Sequence, residues 1–347
     1  MHHFVRTTGI TTLCSLCAVA SAQSAVTMYG NIDTGLTSIS NFNVASGSGV
    51  RLSNGYLSPS QLGFRGREDL GGGMTALFNL QTGFDAGTGR YGGVLFGRNA
   101  YVGLETSAGT VTIGRQWVLS DDWMTGNIFQ PGWTAGSLLH LSGFDATSDL
   151  FNNSVKVVTP RSGGLQAGMM YSLDESKMAA MPGREFNAGV NYAQEGYYLA
   201  GTFYSEADGN GSGRSNILWT AGGNLHLGSA TRLRGGYSDS KVEGNGQYLS
   251  GNNGAPFHAS VWGVGIDQEL QAQLRLAADV LYRRDRQHVQ SSTILRLTLT
   301  RSLSRRTDLL ASVAHLSNRG GAMEVLEGAP AANLTQTGLA LIVRHAF

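Results

Sequence analysis

The residues able to do physical work in this sequence are charged side chains placed at every second position of otherwise apolar runs. Arg296 sits between Leu295 and Leu297, and Thr298 and Thr300 continue its parity. Arg275, Asp279 and Arg283 share one parity while Leu274, Leu276, Val280 and Tyr282 share the other. Arg65 and Arg67 oppose Leu62, Phe64 and Gly66 in the same way. None of these charges has the company a catalyst needs. No H-E-x-x-H, G-x-S-x-G or Walker lysine motif occurs. Gly87-Thr88-Gly89-Arg90-Tyr91-Gly92 satisfies G-x-G-x-x-G, but no helix pattern follows it and no βαβ unit surrounds it, so it reads as a loop. The eight histidines are scattered and imply no metal site. No cofactor is implied. What such alternation does provide is electrostatics, a row of fixed charges on one face of a wall whose other face is leucine.

A wall of that kind needs water on one side and an apolar medium on the other. Its repeating unit is a segment of roughly ten residues with period-two alternation, bounded by Gly, Ser, Asn or Asp. Sixteen such segments are counted, with starts near residues 25, 58, 74, 95, 110, 153, 165, 184, 196, 215, 231, 258, 273, 292, 306 and 336. Short connections such as Asp69–Gly73 and Ser107–Gly109 alternate with long ones such as 40–57, 118–152 and 318–335, apart from a short hairpin near 288–291. Alternating short turns and long loops are the pattern of a transmembrane β-barrel, and an even strand number places both termini on the periplasmic side. An arginine facing lipid at the midplane costs about 2–4 kcal/mol, so Arg296, Arg275 and Asp279 are expected to line a water-filled lumen. Tyr29, Asn31 and Asp33 share the lumen parity of the first strand, opposite Met28 and Ile32. Tyr171, Tyr197, Tyr198, Tyr204, Trp219, Trp262 and Tyr282 sit near strand ends, where interfacial girdles form.

Composition agrees. Glycine, at 49 of 347 residues, is twice the roughly 7% of an average chain. It suits strands that bend around a barrel. A mean hydropathy of −0.10 fits a wall in which lipid-facing and water-facing residues alternate. Arg6, the apolar stretch Ile10 to Ala20 and the small residues Ala20-Ser21-Ala22 read as a signal peptide over residues 1–22, leaving residues 23–347 as the barrel. Both cysteines, Cys14 and Cys17, leave with it, so the mature chain has no thiol chemistry. Arg6 is also the only charge removed, which balances the remaining basic and acidic residues and gives nucleic acid no basic surface to bind. A soluble β-sandwich also alternates, but the signal peptide and sixteen strands without a domain break favour the barrel.

The segment Ala25-Val26-Thr27-Met28-Tyr29-Gly30-Asn31-Ile32-Asp33 resembles the first strand of beta-proteobacterial general porins. The run from Gln61 to Met74, with Arg65-Gly66-Arg67-Glu68-Asp69-Leu70 at its centre, resembles that family's second strand, first periplasmic turn and third strand. Leu95-Phe96-Gly97-Arg98-Asn99-Ala100-Tyr101 and Gly109 to Gln116 are similar to strands four and five, and Val343-Arg344-His345-Ala346-Phe347 to the closing strand. The resemblance implies a sixteen-stranded antiparallel barrel with a long third loop folded into the lumen. It also implies a homotrimer in the outer membrane, surrounded by lipid and lipopolysaccharide, that passes ions and small hydrophilic solutes. By the family's pattern the pore constriction is expected at Arg98 and Arg115, helped by Arg65. The third loop offers Asp121, Asp122, Asp145 and Asp149 for the acidic side of a transverse field, with Asp121 and Asp122 favoured and loop solvation or helix capping as the alternative. Gln61 and Arg67 join the lumen lining, and Phe347 serves outer-membrane targeting. Gln61 stands where the family often has arginine, as does Leu150, so weak ion selectivity is expected. Strict alternation would send Arg98 outward with Ala100 and Val102, and Arg115 with Val111 and Ile113. A bulge near Gly97 or Gly114 is therefore required if they are to reach the lumen. An outer-membrane barrel enzyme and a mainly adhesive barrel are the competing readings, and the first would need a polar catalytic cluster at the rim.

Overall fold

A computed structural model of the chain describes residues 25–43, 47–128, 137–143, 150–173, 185–207, 215–243, 256–329 and 331–347. The expected leader, residues 1–22, lies outside the described residues, as do Asp145 and Asp149. The described residues form one antiparallel sheet that closes on itself. Strand β1 (Ala25–Asn43) pairs along its second half with β2 (Gly47–Asn54) and along its first half with β3 (Gln61–Gly71). Strands β2 and β3 thus make one stave, interrupted by residues 55–60. The order continues through β4 (Met74–Gly83), β5 (Asn99–Thr106), β6 (Gly109–Trp117), β7 (Leu150–Val158), β8 (Leu165–Ser172) and β9 (Glu185–Gln194). It is completed by β10 (Tyr197–Ala207), β11 (Ser215–Leu227), β12 (Thr231–Val242), β13 (Phe257–Gln271), β14 (Leu274–Asp285), β15 (Gln290–Ser302), β16 (Thr307–Arg319) and β17 (Thr335–Ala346). Each pairs with the next, and β17 returns to β1 from Asn31↔Ala346 to Ile39↔Gly338. The result is a closed barrel of sixteen staves.

The expected long connection 40–57 is the main correction to the strand map. β1 runs on to Asn43, and β2 occupies most of the rest as a hairpin partner. The run Gly47-Ser48-Gly49-Val50-Arg51-Leu52 carries only two apolar positions, too few to mark a strand by alternation. Elsewhere the alternation holds: Leu295, Leu297 and Leu299 are exposed on the outer face while Arg296, Thr298 and Thr300 are buried inside. No helix among the described residues is long and apolar enough to cross a membrane, so any crossing is made by strands. Tyr171, Tyr197, Trp219, Trp262 and Tyr282 face outward, as a girdle requires. Tyr198 and Tyr204 do not. The Tyr198 hydroxyl donates inward to the Trp123 carbonyl, and Tyr204 is fully buried against Phe151 at 5.6 Å. Their position near strand ends gives the same signal as the girdle residues, and parity is what separates them.

Inside the barrel lies part of the connection after β6. Helices α1 (Leu119–Met124) and α2 (Leu138–Leu141) bury Leu119, Trp123, Met124, Leu138 and Leu141 against inward-facing wall residues such as Ala200, Val261 and Leu281. Glycine makes room for them. A Cβ on Gly168 or on its cross-strand neighbour Gly189 would come within 3.1 or 3.0 Å of the Trp123 ring. Polar tethers fix the same path. Ser120 N–H donates to Asn187 Oδ1, Asn224 Nδ2 to the Asn127 carbonyl, and Arg283 Nε to the Leu141 carbonyl at 3.0 Å.

Candidate pore constriction

Between these helices and the wall of β3 to β6 remains a cavity of about 1050 Å³. Its wall carries Tyr29, Gln61, Asn79, Gln81 and Asn99, all at lumen parity. They are linked in pairs: Tyr29 Oη donates to Asn79 Oδ1 at 2.6 Å and Asn99 Nδ2 to Gln81 Oε1 at 3.0 Å. Arg98, Arg115 and Trp117 border the cavity, as do Asp121 and Asp122 of α1. Leu150 lines it as well, so the two positions where an arginine was expected by resemblance present an amide and an apolar side chain to the same space.

Arg98 escapes the parity argument because it precedes β5 and lies in the connection. Its guanidinium stacks over the Trp117 ring, 4.7 Å from the centroid. Arg115 lies inside β6, next to Gly114, whose φ of 136° is unavailable to most side chains. The register shift beside it, Gly114↔Ser154 followed by Gln116↔Phe151, puts the extra residue on β7 at Asn152-Asn153, so Arg115 keeps the parity of Ile113 and still borders the cavity. Arg115 Nε donates to the Gly97 carbonyl at 2.6 Å and its Nη1 to Asn152 Oδ1. The arginine therefore borders the cavity while tying two strand tops together.

Asp121 is held above the ordinary carboxylate range, pushed up to about 6 by burial first and by the neighbouring Asp122 second, with Arg98 and Lys156 opposing. Asp122 accepts from Lys156 Nζ at 2.8 Å, and the same ammonium donates to the Trp117 carbonyl. Lys156 is a site residue that the sequence analysis passes over. Its signal is plain in retrospect, because Val157 faces outward and Lys156 has the opposite parity.

Other expected lining residues are inward but not all are wet. Arg65 is exposed in the lumen and lies over the Tyr29 ring at 5.0 Å, beside the cavity and not among its lining residues. Arg67 pairs with Glu105 at 2.7 Å near the short turns. Arg275 is half-buried on the inner face near the same end. Asp279 and Arg296 are buried, 2.8 Å apart. They continue into Arg234, which lies 3.7 Å from Asp279 and 2.9 Å from Asp267 and donates to the Ile128 carbonyl of the third loop. That loop covers them, so they form a buried ion-pair chain where an open pore lining was expected. Asp33 departs furthest. It is fully buried and accepts from the backbone N–H groups of Tyr56, Leu57 and Ser58.

A family profile described as Gram-negative porin matches residues 9–321. The chain belongs to the Gram-negative porin family. It is 30% identical to outer membrane porin protein 32 of Delftia acidovorans over 94% of this chain and 95% of that one. It is 34% identical to an outer membrane porin protein of Bordetella pertussis over 46% of each. Among solved structures, an anion-selective porin from Comamonas acidovorans superposes with a TM-score of 0.79 at 25% identity, covering 94% of this porin and 100% of that chain. This porin is an outer-membrane protein that forms a diffusion channel. The family and the fold together point to passive transport.

Proposed function

We propose that this porin passes ions and small hydrophilic solutes with weak selectivity that leans slightly to anions, and that it does no chemistry on them. The observation that carries this reading is the cavity bordered by Arg98 and Arg115 against Asp121 and Asp122. A narrow water column between low-dielectric walls focuses the field of such charges on a passing ion. Two arginines and two aspartates border the cavity, and one aspartate is offset by Lys156, so the balance is small and positive. The mature chain, cleaved after residue 22, is formally neutral and adds no background field. A structural relative is an anion-selective porin, and Gln61 and Leu150 reduce the basic character expected from such a resemblance. The working form is a homotrimer in outer-membrane lipid and lipopolysaccharide, with both termini periplasmic. Single-channel recording across a salt gradient tests the reading. A small reversal potential of anion sign is expected, and strong selectivity of either sign would overturn it.

A further inference from the structure

We propose that residues 55–60 form a second lumenal insert, latched by Asp33, which with the third-loop helices confines the water path to the β3–β6 side of the barrel. The latch is built from β1. Asp33 Oδ1 accepts from Tyr56 N–H at 3.0 Å, and Oδ2 accepts from Leu57 N–H at 2.9 Å and Ser58 N–H at 3.2 Å. The backbone of Asp33 joins in, its carbonyl accepting from Gly55 N–H at 2.8 Å and its N–H donating to Ser60 Oγ at 3.1 Å. Asn31, two residues earlier on the same face, donates to Ser58 Oγ and to the Pro59 carbonyl. A carboxylate out of contact with water is tolerated only where it is well hydrogen-bonded, and here three backbone N–H groups do that. A short connection between two halves of one stave needs no such fixture.

What the latch holds is Tyr56. Its side chain is buried, close to Ser312 and Thr298 on the inner faces of β16 and β15. It belongs to one apolar cluster with Ile39, Leu310, Ala314, Ala340 and Ile342. These five side chains all have lumen parity, so an unobstructed water-filled barrel would wet them. All are nearly inaccessible. The insert has a second face, because Gly55 to Pro59 also line the cavity that holds Arg98 and Asp121. It therefore divides a dry inner wall at β15–β17 from a wet one at β3–β6, and the removal of apolar wall from water stabilises it there.

The mature chain has no cysteine, which makes thiol labelling a clean test. Gln61→Cys reports the wet wall and Ala314→Cys the wall beneath the insert, each exposed to a water-soluble methanethiosulfonate on folded protein, identified by its heat-modifiable band. Ala314→Cys is expected to react at least roughly tenfold more slowly than Gln61→Cys, because a covered site reacts only when it opens locally. Adding Asp33→Ala or Tyr56→Ala should bring the two rates close together and raise single-channel conductance roughly twofold, since conductance follows the open cross-section of a pore. Tyr56→Ala leaves the latch intact and carries the test should Asp33→Ala fail to reach the membrane. Fast labelling of Ala314→Cys in the otherwise unchanged chain would overturn the proposal. So would unchanged labelling and conductance in Tyr56→Ala, or in Asp33→Ala where that variant reaches the membrane. The inference rests on the diffusion-channel reading, but labelling is read without current, so failure of the one is distinguishable from failure of the other.

Discussion

Phe347 and Gly30 exchange two backbone hydrogen bonds, Phe347 N–H to the Gly30 carbonyl at 3.0 Å and Gly30 N–H to the Phe347 carbonyl at 3.1 Å. The phenyl ring covers Gly30 so closely that a Cβ there would meet Phe347 Cζ at 2.7 Å and the Gln61 carbonyl at 2.3 Å. This is where β17 closes the barrel on β1, on the outward face shared with Met28 and Ile32. Deleting Phe347 removes both bonds and the ring, and is expected to reduce membrane-inserted protein greatly. Gly30→Ala is expected to cost about 1–3 kcal/mol by overpacking. The heat-modifiable band and the urea midpoint read these outcomes, and a normal folded yield from the deletion would count against a role for Phe347 in assembly.

Asp121 makes selectivity depend on pH. Its carboxyl, pushed up to about 6 by burial and by Asp122, is charged above that pH and neutral below it. Acidification from pH 8 to pH 5 therefore removes one negative charge from the cavity border, and the reversal potential should move toward anions. Asp121→Asn should show the low-pH value throughout. A reversal potential that shifts equally in the variant would assign the titration to another group.

Glu324 makes stability depend on pH in the opposite sense from a salt-bridged surface acid. It is buried beside Arg283 at 3.4 Å, and burial pushes its carboxyl up to about 7 despite that partner. Between the ordinary glutamate range and 7 the folded chain holds a proton that the unfolded chain has lost. Stability contributed by this group is present at low pH and falls as pH rises, with a slope on the order of 1 kcal/mol per pH unit. Glu324→Gln should flatten the change in urea midpoint between pH 5 and pH 8. An equally steep midpoint in the variant would show that Glu324 is not the group responsible.

The proposed homotrimer predicts a detergent-resistant band that collapses to monomer on boiling, with conductance appearing in groups of three. Light scattering that finds a folded monomer with unitary steps would reject it.

Alternation along single strands tells which side each residue of β14, β15 and β17 faces, and the structure keeps those assignments. It cannot tell depth. Asp279 and Arg296 have lumen parity and are dry, because Ile128 of a distant loop lies over Arg234, which pairs with Asp279. Asp33 has the same parity and is dry because residues 55–60 fold back on it. Both outcomes depend on where a connection goes after it leaves its strand, and a two-residue period carries no record of that. Lys156 is legible by parity. Arg115 is not, since it borders the cavity although it shares the parity of Ile113.

Selectivity should respond to the cations bordering the cavity in a graded way. Arg98 stacks on Trp117 beside the water column, where close charges interact through an intermediate dielectric with energies on the order of a few kcal/mol. Arg98→Ser is therefore expected to move the reversal potential toward cations, more at low salt than at high salt because screening shortens the reach of a fixed charge. Arg115→Ser should move it in the same direction. It should also add current noise, because the Gly97 carbonyl loses its donor and the segment ahead of β5 loses a tether. Lys156→Gln acts by another route. It leaves Asp122 without its 2.8 Å partner, so the acidic side gains an uncompensated charge and the shift toward cations should approach that of Arg98→Ser. Asp122→Asn in the same background should reverse it. If Arg98→Ser and Arg115→Ser leave both reversal potential and conductance unchanged, the two arginines serve only to tie the strand tops to the loop. For Arg115, parity with Ile113 would then have been the better guide to its role.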